Sequence, residues 1–179
     1  DHLKRAGTSH IQLQYQNMQT DIKRPSFINV DPVGWHNYKI DGEWLMNRGH
    51  LVGYQFCKIN DDLRNLVPET AYLNTGTIQG NIDASNSKSM IFYEQRLAKW
   101  LKENPSAWLD YQVTPLYDGE DLLPKQVKLN YTGLDAQGKP LTIKLGGNEK
   151  QSLNGAMEVV LDNTSPNAVL NYSTGQLEK

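Results

Sequence analysis

An α+β fold, a mixed or antiparallel sheet flanked by one or two helices, is what the residue pattern predicts. Apolar runs of strand length recur between Gly, Asp and Pro turns, one segment carries the helical period, and no repeat or low-complexity tract interrupts them.

Near the N-terminus Ile11-Gln12-Leu13-Gln14-Tyr15 alternates with period two and predicts a peripheral strand. Arg24 to Trp35 contains Pro25, Pro32 and Gly34 and reads as an irregular loop packed by its aromatics. Tyr38 to Met46 is strand-like, broken at Asp41-Gly42 by a hairpin turn, and runs into Asn47-Arg48-Gly49-His50 at a strand end. Arg64 to Pro68 reads as a second strand closed by proline, and Glu69 to Leu73 as the first turns of a helix. Thr75 to Lys88 is rich in Gly, Asn, Ser and Asp, which predicts an exposed excursion. Met90, Tyr93, Leu97, Trp100 and Leu101 then fall on one face of an amphipathic helix that stops near Asn104-Pro105. Trp108 to Tyr117, Lys125 to Tyr131, Leu141 to Leu145 and Ala156 to Leu161 complete the strands.

The 179 residues, 38% of them hydrophobic, suffice for one core, and a single domain over 1–179 is expected. No apolar run is long enough to span a bilayer, so no membrane association is expected. The first residue, Asp1, fits either a processed mature protein or a trimmed chain. Cys57 has no second cysteine to pair with and reads as a small buried apolar residue. The formal charge of −2 lacks the strong basic excess of a high-affinity nucleic-acid binder, yet residues 1–60 carry seven basic and five acidic side chains, enough for a local cationic groove.

His50 is the first candidate for chemistry. Arg48 beside it is suited to holding a phosphate, Gly49 allows close backbone approach, and the imidazole can take a proton from water. Asn74, on the helix predicted to pack back over the first strand, offers a hard amide oxygen of the kind magnesium accepts while keeping most of its waters. Read on the residues alone, a structural histidine and an asparagine at a helix C-terminus fit as well.

A longer series of motifs is more specific. Arg24-Pro25-Ser26-Phe27, Asp31-Pro32-Val33-Gly34-Trp35, Asn47-Arg48-Gly49-His50-Leu51, Arg64-Asn65-Leu66-Val67, Thr70-Ala71-Tyr72-Leu73-Asn74, Tyr93-Glu94 and Val113-Thr114-Pro115-Leu116-Tyr117 follow in order, and the chain closes with Leu170-Asn171-Tyr172-Ser173-Thr174-Gly175. Together they resemble the DNA/RNA non-specific endonuclease family, especially the secreted streptococcal DNases. The resemblance implies the ββα-metal fold and extracellular, sequence-nonspecific cleavage of DNA, with RNA not excluded, by a monomer. It implies His50 as general base, Asn74 as the direct protein ligand to Mg2+ with Mn2+ able to substitute, Arg48 on the scissile phosphate, and Glu94 holding the ion's waters or a nearby arginine. Asn47 stands where many relatives carry aspartate, which implies an orienting role for its amide. The products would carry 5′ phosphates.

Two other readings compete. A secreted carbohydrate- or peptide-binding module would use the nine tyrosines and four tryptophans and leave His50 structural. A zinc-dependent relative would need a further histidine ligand, and His2, His10 and His36 lack the spacing for one.

Overall fold

Alternation, turn chemistry and one helical period translate directly into elements. The protein is described here by a computed structural model covering residues 1–152 and 154–178. In chain order β1 is Ser9–Leu13, followed by the hairpin β2 (Lys39–Ile40) and β3 (Glu43–Trp44), which turns at Asp41-Gly42 as expected. Strand β4 (Met46–His50) precedes the one-turn helix α1 (Tyr54–Cys57), and β5 (Leu66–Thr70) runs into α2 (Ala71–Thr75). Helix α3 spans Met90–Glu103, β6 Trp108–Leu116 and β7 Gln126–Leu134. Short strands β8 (Pro140–Leu141) and β9 (Lys150–Gln151) precede β10 (Met157–Asp162), and β11 (Val169–Leu170) pairs with β12 (Leu177–Glu178).

The main sheet has the order β1-β6-β7-β10-β9, with β8 also on β7, and its pairings are antiparallel. The α+β expectation is met, and β1 takes the edge position its isolation from the other strands suggested. One face of the sheet is apolar because alternate residues point the same way: Leu109, Tyr111 and Val113 on β6, Val127, Leu129 and Tyr131 on β7, and Met157, Val159 and Leu161 on β10. Met90, Tyr93, Leu97 and Leu101 of α3 join these residues in one core cluster. At about 25 cal/mol per Å² of apolar surface buried, this layer contact is the main favourable term of the fold. A smaller cluster of Leu45, Met46, Leu123 and Leu170 carries the β2–β3 hairpin and the C-terminal strands.

Strands β4 and β5 form a separate antiparallel ribbon, with Asn47 opposite Glu69, Arg48 opposite Pro68 and His50 opposite Leu66. Here the fold departs from the expected boundaries. Pro68 lies within β5 rather than closing it, which a two-stranded ribbon tolerates because one edge needs no amide donor. The helix starts at Ala71, not Glu69, because Thr70 Oγ1 caps it by accepting from the Leu73 amide at 2.9 Å. Of Leu141–Leu145 only the first residue is in a strand, since the Glu149 carboxylate takes up the Leu145 and Gly147 amides and turns the chain away. Cys57 is half-buried; of the expected stripe Met90, Tyr93, Leu97 and Leu101 are buried and Trp100 only partly, and α3 also buries Phe92 and Glu94.

Candidate active site

His50 is the last residue of β4, and strand alternation places it on the same face as Arg48. The turn that follows is fixed by Asn65, whose side chain accepts from the Val52 amide and donates to the Val52 carbonyl, both at 2.9 Å, while its own carbonyl accepts from Leu51 N at 2.9 Å. His50 is 6% exposed, and its Nε2 lies 3.0 Å from the carbonyl oxygen of Asn60. A carbonyl only accepts, so Nε2 carries the hydrogen and the lone pair of the neutral ring sits on Nδ1. Burial, against the raising effect of the Asn60 bond and with help from the Arg24 charge, holds the imidazole below its ordinary pKa. The ring is therefore neutral near pH 7 and competent as a base.

Asn74 is carried to the same cleft by α2. Its Nδ2 donates to Asn47 Oδ1 at 2.9 Å, which fixes the amide plane and leaves Asn74 Oδ1 without a hydrogen-bond donor among the described residues. Asn47 thus orients a side chain, a role its uncharged amide performs without a carboxylate. Arg48, His50, Asn74 and Glu94 line one cavity of about 470 Å³, and Arg48, Asn74 and Asn47 also line an adjoining groove of about 850 Å³. All five residues singled out in the sequence therefore meet around one cleft.

Glu94 projects from α3 toward the α1 turn, where a Cβ added to Gly53 would lie 2.6 Å from its Oε2. Burial pushes its carboxyl up to about 7 in spite of the nearby Arg24. Arg48 lies with Nε 2.9 Å and a terminal nitrogen 2.7 Å from Asp31 Oδ1, its guanidinium 4.4 Å from the Trp35 ring centroid. Asp31 is 61% exposed, so this pair is held weakly and costs little to break.

Three residues of the site carried no individual signal in the sequence. Arg24 lines both cavities and influences both His50 and Glu94, although the loop that holds it is far away in the chain. Glu69, opposite Asn47, is fully buried, neither of its carboxyl oxygens has a hydrogen-bond partner among the described residues, and burial together with the Glu94 charge drives its pKa well up. A side chain at position 49 would overlap that carboxyl, which is the physical reason for glycine between Arg48 and His50. Asn163 ties β5 from outside: its side chain accepts from Thr70 N at 2.9 Å and donates to the Pro68 and Pro124 carbonyls at 3.0 Å. Glu69 read as the first residue of a helix, and nothing near Asn163 pointed to the ribbon.

The donor set suits a hydrated hard cation. The free Asn74 Oδ1 and the Glu94 carboxyl are oxygen donors on one cavity, the donor type a hard cation takes.

A neutral imidazole, a guanidinium and a free amide oxygen gathered where two strands meet a helix are groups of the kind that phosphodiester cleavage calls on. The chain belongs to the DNA/RNA non-specific endonuclease family, whose model matches residues 1–133. Among solved structures it is similar to an extracellular endonuclease, at 43% identity and a TM-score of 0.85 over 100% of this chain and 82% of that one. It is also similar to an extracellular nuclease, at 44% identity and a TM-score of 0.79 over 98% and 86% of the two chains. NucA from Streptococcus agalactiae, solved with magnesium ion bound, shares the fold at 22% identity and a TM-score of 0.69, over 99% of this chain and 74% of that one. A comparison with curated proteins returned no match. The fold is thus the ββα-metal fold, with β4, β5 and α2 as its strand-strand-helix unit, and the protein is an endonuclease; the binding-module reading falls away.

Proposed function

We propose that this protein is a secreted, magnesium-dependent, sequence-nonspecific endonuclease that hydrolyses DNA, and RNA where offered, to 5′-phosphate products, with residues 1–179 acting as one monomeric domain. The observation that carries the reading is the pairing of a tautomer-fixed, neutral His50 with an oriented Asn74 on one cavity. His50 Nδ1 takes the proton of the attacking water, and the Asn60 carbonyl stabilises the imidazolium that forms. Arg48 leaves Asp31 for the scissile phosphate, and Arg24 supplies a second positive charge on the same cavity. Asn74 Oδ1 would hold magnesium, with Glu94 beside it. When bound there, such an ion would supply charge stabilisation to the phosphate and the leaving 3′ oxygen. These groups address phosphate rather than base edges, hence the absence of sequence preference.

Secretion is supported by the extracellular relatives, and magnesium by NucA, solved with that ion. The test is digestion of supercoiled plasmid and of RNA with magnesium, with manganese and with chelator. Nicking with either metal and none with chelator is expected. A plasmid left intact with magnesium would sink the proposal.

A further inference from the structure

The groove next to the catalytic cavity has a composition the reaction itself does not require. It is about 850 Å³ in volume, within the range of pockets that take up whole small molecules, and it shares Arg24, Arg48 and Asn74 with the catalytic cavity. Phe27 and Trp44 on its walls are 68% and 55% exposed. Large apolar side chains at that exposure, grouped on one groove, mark a binding surface rather than a packing accident. Arg24 and Arg48, the latter paired with Asp31, line the groove and no acidic side chain does, in a chain of net charge −2. On the hairpin, Lys39 places its ammonium 4.9 Å from the Trp44 ring centroid, so a cation stands directly beside an aromatic face.

The walls are held in place. Asn37 clamps Met46 at the groove by accepting from its amide and donating to its carbonyl, both at 2.9 Å. The Phe27 carbonyl accepts from Asn60 Nδ2 at 3.1 Å, and the Asn60 carbonyl is the group that fixes His50. The Phe27 loop and the catalytic ring therefore share one anchor.

We propose that this groove is a stacking channel for unpaired bases flanking the scissile phosphate, and that the enzyme takes single-stranded nucleic acid in preference to duplex. The inference rests on the nuclease reading above. A base in a duplex has both faces covered by its neighbours in the stack and offers neither to Phe27 nor to Trp44. A base in a single strand offers both. Aromatic rings interleaved with cations suit such a strand, because rings accept any base face and the cations follow the phosphates. Stacking is indifferent to base identity, so the channel adds a preference for strand form without adding one for sequence.

The test compares a short oligothymidylate with a hairpin duplex of equal length, at one salt concentration with magnesium. Wild-type protein is expected to show a kcat/KM at least about tenfold higher on the single strand, and Phe27→Leu and Trp44→Leu, which keep apolar bulk but lose the ring, are each expected to lower it by about tenfold on that substrate. The duplex value should fall by much less. A His50→Ala background supplies a readout free of turnover: oligothymidylate should quench tryptophan fluorescence, and Trp44→Leu should weaken that binding by a similar factor. Equal wild-type rates on the two substrates, or equal losses on both in the leucine variants, would overturn the channel while leaving the nuclease standing. Wild-type protein that binds oligothymidylate through Trp44 but cleaves nothing would overturn the nuclease and keep the channel. Protein that neither cleaves nor binds the oligonucleotide would overturn both.

Discussion

Replacing Glu94 by glutamine should remove a measurable part of the pH dependence of stability in the metal-free protein. In the folded state the Glu94 carboxyl is pushed from the ordinary 4.5 up to about 7, chiefly by burial, with Arg24 opposing. A carboxyl whose folded pKa is raised holds its proton more tightly when folded. Its contribution is fully present below pH 4.5, shrinks as the pH rises, and is lost once the pH passes about 7. At 1.36 kcal/mol for each pH unit between 4.5 and 7 the whole effect is about 3 kcal/mol, most of it falling between pH 5 and pH 8. His50 acts in the opposite sense, since its pKa is lowered and its neutral form is favoured as the pH rises, but that contribution is common to both proteins and cancels in the comparison. Urea denaturation in chelator at pH 5, 6, 7 and 8 measures the difference. The wild type should lose about 2 to 3 kcal/mol relative to Glu94→Gln across that range. Parallel curves for the two proteins would show that Glu94 is solvated or already charged at pH 5, and the account of the buried carboxyl would be wrong.

Removing the base, His50→Ala, should lower kcat by roughly 10²- to 10⁴-fold with an unchanged circular dichroism spectrum. Asn74→Ala should abolish the rise in melting temperature that magnesium gives the wild type, because the amide oxygen left free by the bond to Asn47 is gone; an undiminished rise would remove Asn74 from the metal site. Gly49→Ala should cost at least about 2 kcal/mol in denaturation, because its Cβ would overlap the Glu69 carboxyl, and adding Glu69→Ala should return part of that loss. Asn163→Ala should cost about 3 kcal/mol or more, since three buried hydrogen bonds to Thr70, Pro68 and Pro124 are broken together.

The parts of the fold legible in the sequence are those where one physical rule acts alone. The α3 stripe and the alternation of β6, β7 and β10 are local periodicities, and the Asp41-Gly42 turn is local chemistry. Boundaries at β5 and α2 were misread because the deciding groups are not local: Thr70 starts the helix at Ala71, and the Thr70 backbone is itself held by Asn163, which lies 93 residues away. The same distinction divides the site. His50, Arg48, Asn47, Asn74 and Glu94 lie in short motifs that resemblance recovers, and each reaches the cleft. Glu69 was hidden because a glutamate directly after Pro68 reads as the first turn of a helix, and only the register opposite Asn47 puts it inside. Arg24 was visible as part of a motif, yet its work at the cleft depends on a loop path that no periodicity encodes.

The bonds that hold the site in shape share one chemical property. Asn47 to Asn74, Asn65 to Val52, Asn163 to Pro68 and Thr70, and Asn37 to Met46 are amide pairings, neutral at any pH the protein meets and little screened by salt. The charged pairs at the cleft, such as Arg48 with Asp31, are exposed and exchangeable. Geometry is thus assigned to groups that do not titrate, and charge to groups free to move onto a phosphate. Two titratable groups, His50 and Glu94, sit between these classes, buried and shifted toward each other's range, His50 downward and Glu94 up to about 7. It follows that changes of pH near neutrality act on proton transfer and cation binding before they act on the positions of the residues concerned, so activity should respond to pH well before the architecture of the cleft does.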